Sequence, residues 1–457
     1  MEKIKIRNIF LHTIFGIFPV FLLFLYGVYL LKDFIASGLI PSFIQITANS
    51  PKYFLSLSFL VIWIFFYIVL FSFKLLKANY KKEIFSIFIL FVISIPVFLS
   101  GPFFQPPSDP IFHSGLVWDF LDKNEFNYIN RAIIIKSIFA SLNYLTTPIE
   151  WVSKSRLVLA LHIISSAMMI LSTHISSRLF GLNLKWAIFS TILFIVFFGT
   201  SFFGFIGYYS LAPASVNFAF YWLISSLLFR SILIYEVGKN FFYSKFFLVS
   251  VLGISLTPIM YYSHRQEAGF FFFVYSLAIV TLLIKFLYKS TLKPIIKKII
   301  LGFVFLILFF PNSILLNSKN PIFVVKEFET YGEHTFGFYP WLFGNIFEKR
   351  AMETFGILGF IPIVVFLGVF FYNRIVNRSL SKKEGMFYFE MLPGLLPFWI
   401  ILFPLNLYIW IKGAHSGVFW RFAYTSFFWV SIGCIFQRME TKLNFSIGKF
   451  WNRCFHS

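Results

Sequence analysis

In the stretch GPFFQPPSDPIFHSGLVWDF, residues 101–120, four prolines lead up to a group of residues that could do chemistry. Asp109 is followed four positions later by His113, and then by Asp119. Each proline restricts the residue before it to β or polyproline geometry, so the chain approaches Asp109 extended. From Ile111 the pattern becomes that of a short amphipathic helix. Ile111, Phe112, Leu116, Val117, Phe120 and Leu121 share a stripe, with Asp119 and Asp122 opposite. Asp109 then stands at or just before the helix N-terminus, where it has two readings. It is either an N-cap satisfying free backbone amides, or a general base with His113 beside it as a phosphate or acceptor ligand. Asp119, Asp122 and Glu125 read as a solvated face.

A second set, Glu329, Glu333 and His334, lies in KEFETYGEHTFGFYPWLFGNIFEKRAMETFG. Carboxylate oxygen and imidazole nitrogen suit a divalent metal ion, but no third ligand is firmly placed, and the stretch also reads as a solvated, partly helical loop. No other cofactor is indicated. Cys434 and Cys454 are the only cysteines, with neither metal-ligand spacing nor a disulfide framework.

The elements that must position these residues are membrane helices. The chain of 457 residues is 59% hydrophobic and 12% charged, against roughly 25% charged in soluble domains. Its apolar runs match the ~20 helical residues that cross a hydrocarbon core. A β-barrel would show short alternating strands instead. Twelve apolar segments can be marked (range 11–13): roughly 9–31, 53–73, 84–100, 156–173, 186–203, 212–231, 246–262, 268–286, 299–316, 354–372, 390–411 and 417–437. The block from Ile9 to Leu31 exceeds a signal-peptide core and lacks an A-x-A site, so it reads as a retained helix. The fold class expected is an all-α polytopic membrane protein, 1–457 as one integral domain. It has two long polar interruptions, 101–155 and 317–353, and a second amphipathic segment at about 128–145 that could lie along the membrane interface.

Sidedness follows from Lys and Arg. With the N-terminus inside, 25 of the 39 basic residues fall on the inner face, with 6 of the 18 acidic ones. Basic residues concentrate in short cytoplasmic loops, so topology accounts for the net charge of +21 and a nucleic-acid partner is not needed. Both long interruptions then face out, together with GFIGYYSLAP, SHRQEA and KGAHSG, and so do His113, His264, His334 and His415. The N-x-S/T sequons, at Asn377 and Asn444, both lie inside. A bacterial inner membrane is the expected location, with the active face extracytoplasmic.

An outer loop that opens on Asp and continues in amphipathic helices resembles the GT-C glycosyltransferases. In that family the loop often begins Asp-Glu or Asp-x-Asp; here it reads SDPIFH, with Pro110 in second place. GYYSLAPASVNFAFYWLISSLLF is similar to the family segment in which a Tyr- and Ser-rich turn precedes a helix opening with Pro and small residues. SHRQEAGFFFF is similar to the His/Arg-x-Glu turns that open a later span, and WRFAYTSFFWVSIG resembles the last helix with its leading Arg. Members usually place one span before the catalytic loop. Three are counted here, which keeps the sidedness.

The resemblance implies transfer of a sugar from a polyprenyl-phosphate carrier to a glycan, lipid or protein acceptor. Asp109 would take the proton of the acceptor hydroxyl. Charge growing on the departing phosphate would be met by positioned cations, with His264, Arg265 and Arg421 the candidates, Glu267 in the same turn, and Lys412 and His415 weaker. The His264–Glu267 stretch also reads as an interfacial loop whose Arg and Glu pair, and Arg421 as an arginine snorkelling to the surface. Tyr208 and Tyr209 read as acceptor-binding residues or as interface aromatics. A flippase or transporter for lipid-linked glycans, or a surface-polysaccharide polymerase or ligase, are the alternatives. Transport is disfavoured by the few ionisable residues in the spans, His162 and His174 being the main ones.

Overall fold

A computed structural model describes residues 18–22, 51–100, 133–147, 154–198, 205–206, 214–236, 244–317, 349–375, 382–402 and 423–455. Among these, every regular element is a helix. In chain order they are α1 (Pro51–Leu76), α2 (Tyr80–Ile93), α3 (Ile95–Ser100), α4 (Ile133–Thr146), α5 (Lys154–Leu179), α6 (Leu184–Phe197) and α7 (Ser215–Ile234). Then follow α8 (Lys245–Ser263), α9 (Arg265–Lys289), α10 (Pro294–Asn317), α11 (Lys349–Ile375), α12 (Lys382–Leu402) and α13 (Phe428–Phe455). Five described segments are long and apolar enough to cross a membrane: Leu55–Leu76, Arg156–Leu179, Ser215–Ile234, Gln266–Lys289 and Gly356–Asn373. The long interruptions 101–155 and 317–353 lie mostly outside the described residues, apart from α4 and the ends of their flanking helices.

α7 is the hub. It packs against α5, α8, α9 and α1 and is buried on every side from Ser215 to Phe229, as expected of a helix apolar all round. Small residues let α5 come close. Ser176 on α5 donates from Oγ to the Trp222 carbonyl at 3.1 Å, and polar groups of this kind join helices where water is absent. Beside that contact, Phe194, Phe198, Phe205, Phe218, Trp222 and Trp429 pack largely edge to face or tilted, the Phe218–Trp222 pair stacking. Outward, Phe59, Phe66 and Leu70 of α1 and Ile295, Ile299 and Phe303 of α10 are exposed, as a surface solvated by lipid requires.

Three elements differ from their sequence pattern for identifiable reasons. The apolar segment at 84–100 is broken into α2 and α3, because Pro96 has no N–H to give. Ser94 closes the break by donating to the Leu90 carbonyl at 2.7 Å, and His162 donates from Nε2 to the Val97 carbonyl at 3.0 Å. The amphipathic segment at 128–145 contains α4, whose residues from Ile134 to Ser141 are all buried against α1 and α5. Ile134, Ile135, Ile138 and Phe139 are buried among its first turns, so it enters the bundle instead of lying along the interface. Lys136 goes in with them, and burial pushes its ammonium down to about 8. The last apolar segment begins a helix, α13, that runs on to Phe455. It continues because Gln437 and Glu440 bind the α5–α6 turn and Arg438 binds Glu390.

The α11–α12–α13 contact depends on the absence of a side chain. A Cβ on Gly394 of α12 would lie 2.7 Å from the Pro362 Cβ of α11 and 3.1 Å from Ser431 Oγ of α13. A proline ring cannot rotate away. Gly394→Ala is therefore expected to cost about 1–3 kcal/mol through overpacking. Gly368→Ala, with nothing within 4 Å, should be neutral or slightly stabilising. Thermal unfolding of the two purified variants in one detergent checks this: equal midpoints would refute the close approach.

Candidate functional site

Three helix ends meet where α8 turns into α9. The turn is a single extended residue, His264, with φ −157° and ψ 117°. Its N–H closes the last turn of α8 on the Met260 carbonyl at 2.8 Å. Asn217, in the first turn of α7, fixes the same place from the side. Its Nδ2 donates to the Met260 carbonyl at 2.9 Å and to the His264 carbonyl at 3.2 Å. One amide thus gives the Met260 carbonyl a second donor and holds the carbonyl of the turn residue itself, which ties the end of α8 to the start of α7.

His264 occupies the N-cap position of α9 without capping it. Glu267, three residues on, is fully buried, and its Oε2 accepts from His264 Nδ1 at 2.6 Å. With Glu267 as the carboxylate, which can only accept, the proton between them is carried on Nδ1. The imidazole is 28% exposed, so the pair joins a partly exposed ring to a carboxylate buried behind it. This is the arrangement by which a carboxylate orients an acid–base histidine. Two further acceptors around the turn are unused: Glu267 Oε1 and Asn217 Oδ1 are buried without a hydrogen-bond partner, as is the Ser215 hydroxyl. Ser215 opens α7, whose N-cap, Ala214, supplies no side-chain cap. The positive ends of the α7 and α9 dipoles therefore converge here.

Of the residues proposed from sequence, the structure brings His264 and Glu267 together. Arg265 is the first residue of α9. Asp109, His113, Tyr208, Tyr209, Glu329, Glu333, His334, Lys412, His415 and Arg421 lie outside the described residues. Among the described residues no three His, Cys, Asp or Glu side chains gather, so the pair by itself offers one imidazole and one carboxylate. Asn217 and Ser215 have no signal in the sequence beyond their place at the start of an apolar run.

The other end of the bundle holds a polar cluster that sequence reasoning did not assemble. Glu83, in the first turn of α2, is buried and receives Arg178 Nε at 2.8 Å and His174 Nε2 at 3.2 Å. Ser86 lies 3.2 Å from that same Nε2 and donates its own proton to the Glu83 carbonyl at 2.8 Å. Both contacts fall on one ring nitrogen, so no relay runs from hydroxyl through imidazole to carboxylate, and this is not a nucleophilic triad. It is a clamp between α2 and the end of α5. Nearby, Gly181 takes φ +99° to start the turn into α6, a conformation that glycine adopts without strain.

Burial pushes the Glu83 carboxyl up, but the His174 hydrogen bond and the Arg178 charge more than offset this and hold it below the usual carboxylate range. A carboxyl depressed on folding adds stability at neutral pH that is lost as pH falls through its folded value. Arg178→Ala leaves the buried carboxylate with His174 alone and without its cation, and is expected to cost about 3 kcal/mol. Unfolding of wild type and variant from pH 4 to pH 8 checks it: the difference should be largest at neutral pH and shrink in acid. Compared with protein-family models, curated proteins and solved structures, the chain matches none.

Proposed function

We propose that the chain is a glycosyltransferase of GT-C type. In this reading a bundle of about twelve spans moves a sugar from a polyprenyl-phosphate carrier to a glycan, lipid or protein acceptor. Transfer takes place at the extracytoplasmic face of a bacterial inner membrane. The observation that carries the reading is the His264–Glu267 pair, an oriented imidazole on a buried carboxylate at the bundle end opposite the basic loops. The acceptor oxygen attacks the anomeric carbon as the bond from that carbon to the phosphate oxygen breaks, and Asp109 takes the acceptor proton. The lipid phosphate leaves with the bonding electron pair. His264, as the imidazolium, gives it a hydrogen bond from Nε2 while its Nδ1–H stays on Glu267. Donors aimed at developing charge are the largest single source of such catalysis. Arg265 and Arg421 complete the cation set, and His113, Tyr208 and Tyr209 hold the acceptor.

A carrier for lipid-linked glycans is the second reading, favoured by the buried Glu83–His174–Arg178 group, since ionisable residues inside a bundle mark transport paths. Proteoliposomes holding mixed polyprenyl-phosphate sugars separate the two. The enzyme reading expects transfer that falls about 100-fold or more in Asp109→Asn, His264→Gln and Glu267→Gln at equal protein abundance. Movement of the lipid-linked sugar across the bilayer without transfer would replace it with the carrier.

A further inference from the structure

Five lysines crowd the place where α9 turns into α10. They are Lys285, Lys289, Lys293, Lys297 and Lys298, in KFLYKSTLKPIIKK, and no acidic residue stands among them. Two are used inside the protein. Lys285 donates to the carbonyls of Ile232, Leu233 and Tyr235 at the end of α7, and Lys297 donates to the Ser290 carbonyl at 2.8 Å. Lys289, Lys293 and Lys298 are exposed and form no ion pair among the described residues. Glu236 attracts Lys285, but Lys289, one turn further along α9, repels it, and like charges at that spacing destabilise a helix. The turn holds positive charge that the described part of the chain does not neutralise. We propose that the α9–α10 turn is a docking surface for the headgroups of anionic phospholipids, and that these lipids steady the lysine cap on the C-terminal end of the hub helix α7.

Depth points to lipid. Lys289 is the last residue of Gln266–Lys289, a segment long and apolar enough to cross a membrane, so the turn stands at the level of the headgroups. Between the lysines, Phe286, Tyr288, Leu292 and Ile295 are exposed, Tyr288 to 84%. Tyrosine is favoured at headgroup depth, and lysine stems lie along apolar surface while the ammonium stays in the polar layer. A protein partner is the poorer match, because protein–protein interfaces are depleted in lysine. Soluble phosphate would meet the cations but leave the apolar side chains in water. α10 makes no extensive contact with another described helix, which leaves its side of the turn open to lipid. A phosphate beside Lys289 offsets the repulsion on Lys285, so the ammonium holding the three α7 carbonyls is better placed with lipid bound. Each lysine near an anionic surface strengthens the attraction about 5-fold, and three together roughly 100-fold before screening. The surface stands under either reading of the function.

The test titrates full-length protein in a neutral detergent with dioleoyl phosphatidylglycerol, or with phosphatidylcholine of the same chains, and reads bound lipid by native mass spectrometry. Wild type should bind the first phosphatidylglycerol about 10-fold or more tighter than phosphatidylcholine. The triple variant Lys289→Gln, Lys293→Gln, Lys298→Gln should lose that preference. A control, Lys74→Gln, Lys77→Gln, Lys245→Gln, removes exposed lysines elsewhere and should keep it. Equal binding of the two lipids by wild type, a preference that survives in the triple variant, or one lost equally in the control overturns the surface. Displacement of the lipid by inorganic phosphate at equal concentration overturns the lipid assignment. Thermal unfolding in nanodiscs reads the link to α7. Phosphatidylglycerol should raise the wild-type midpoint above that in pure phosphatidylcholine, and about 0.5 M salt should remove most of the rise. Lys289→Gln alone should match or exceed wild type in phosphatidylcholine, since a repulsion is gone, yet gain less from phosphatidylglycerol. A variant that loses stability equally in both lipids overturns the link.

Discussion

A helix buried on every side must settle all of its backbone polar groups inside the protein, and α7 is such a helix. Its interior is self-sufficient, but its two ends are not. At the C-terminal end Lys285 of α9 reaches across and donates to the carbonyls of Ile232, Leu233 and Tyr235 at 2.7, 3.0 and 2.5 Å. The cation sits where the helix dipole wants one. The N-terminal end has no side-chain cap and instead lends Asn217 to a neighbouring turn. Support is complete at one end of the hub and open at the other, and the candidate site lies at the open end.

This division also sorts the bundle's charges. Glu83 with Arg178, Glu390 with Arg438 and Glu440 with Lys185 are ion pairs closed on themselves. The His264–Glu267 pair differs in kind. One partner is partly exposed and the other has an oxygen to spare. Closed pairs hold helices in register, and an open pair is able to meet a ligand.

The helices were legible wherever an apolar run exceeded a span's length, as in α1 and α9, because such a run has no other low-energy home. Boundaries failed where tertiary contacts decided them. α13 outruns its apolar block because Gln437 and Glu440 find partners on the α5–α6 turn, which lies some 250 positions away in sequence. The turn at His264–Glu267 was legible as a place where charged side chains gather, but the pairing expected there was Arg with Glu, and it is His264 that bonds Glu267. Asn217 was not legible, since its role depends on α7 meeting the end of α8, and neither was the union of Glu83 with His174. Pattern reports what neighbours in sequence do, and these two sites are built by neighbours in space.

The Gly394 contact bears on how the molecule can move. Pro362 fills the space a side chain would take, and Ser431 Oγ accepts the Gly394 N–H at 3.1 Å while donating to the Glu390 carbonyl at 3.0 Å. α11, α12 and α13 are therefore keyed like teeth of one lock. Sliding any one of them by a residue would drive a ring into a backbone and strand two hydrogen bonds. Whatever rearrangement the bundle undergoes, this trio travels through it as a single piece.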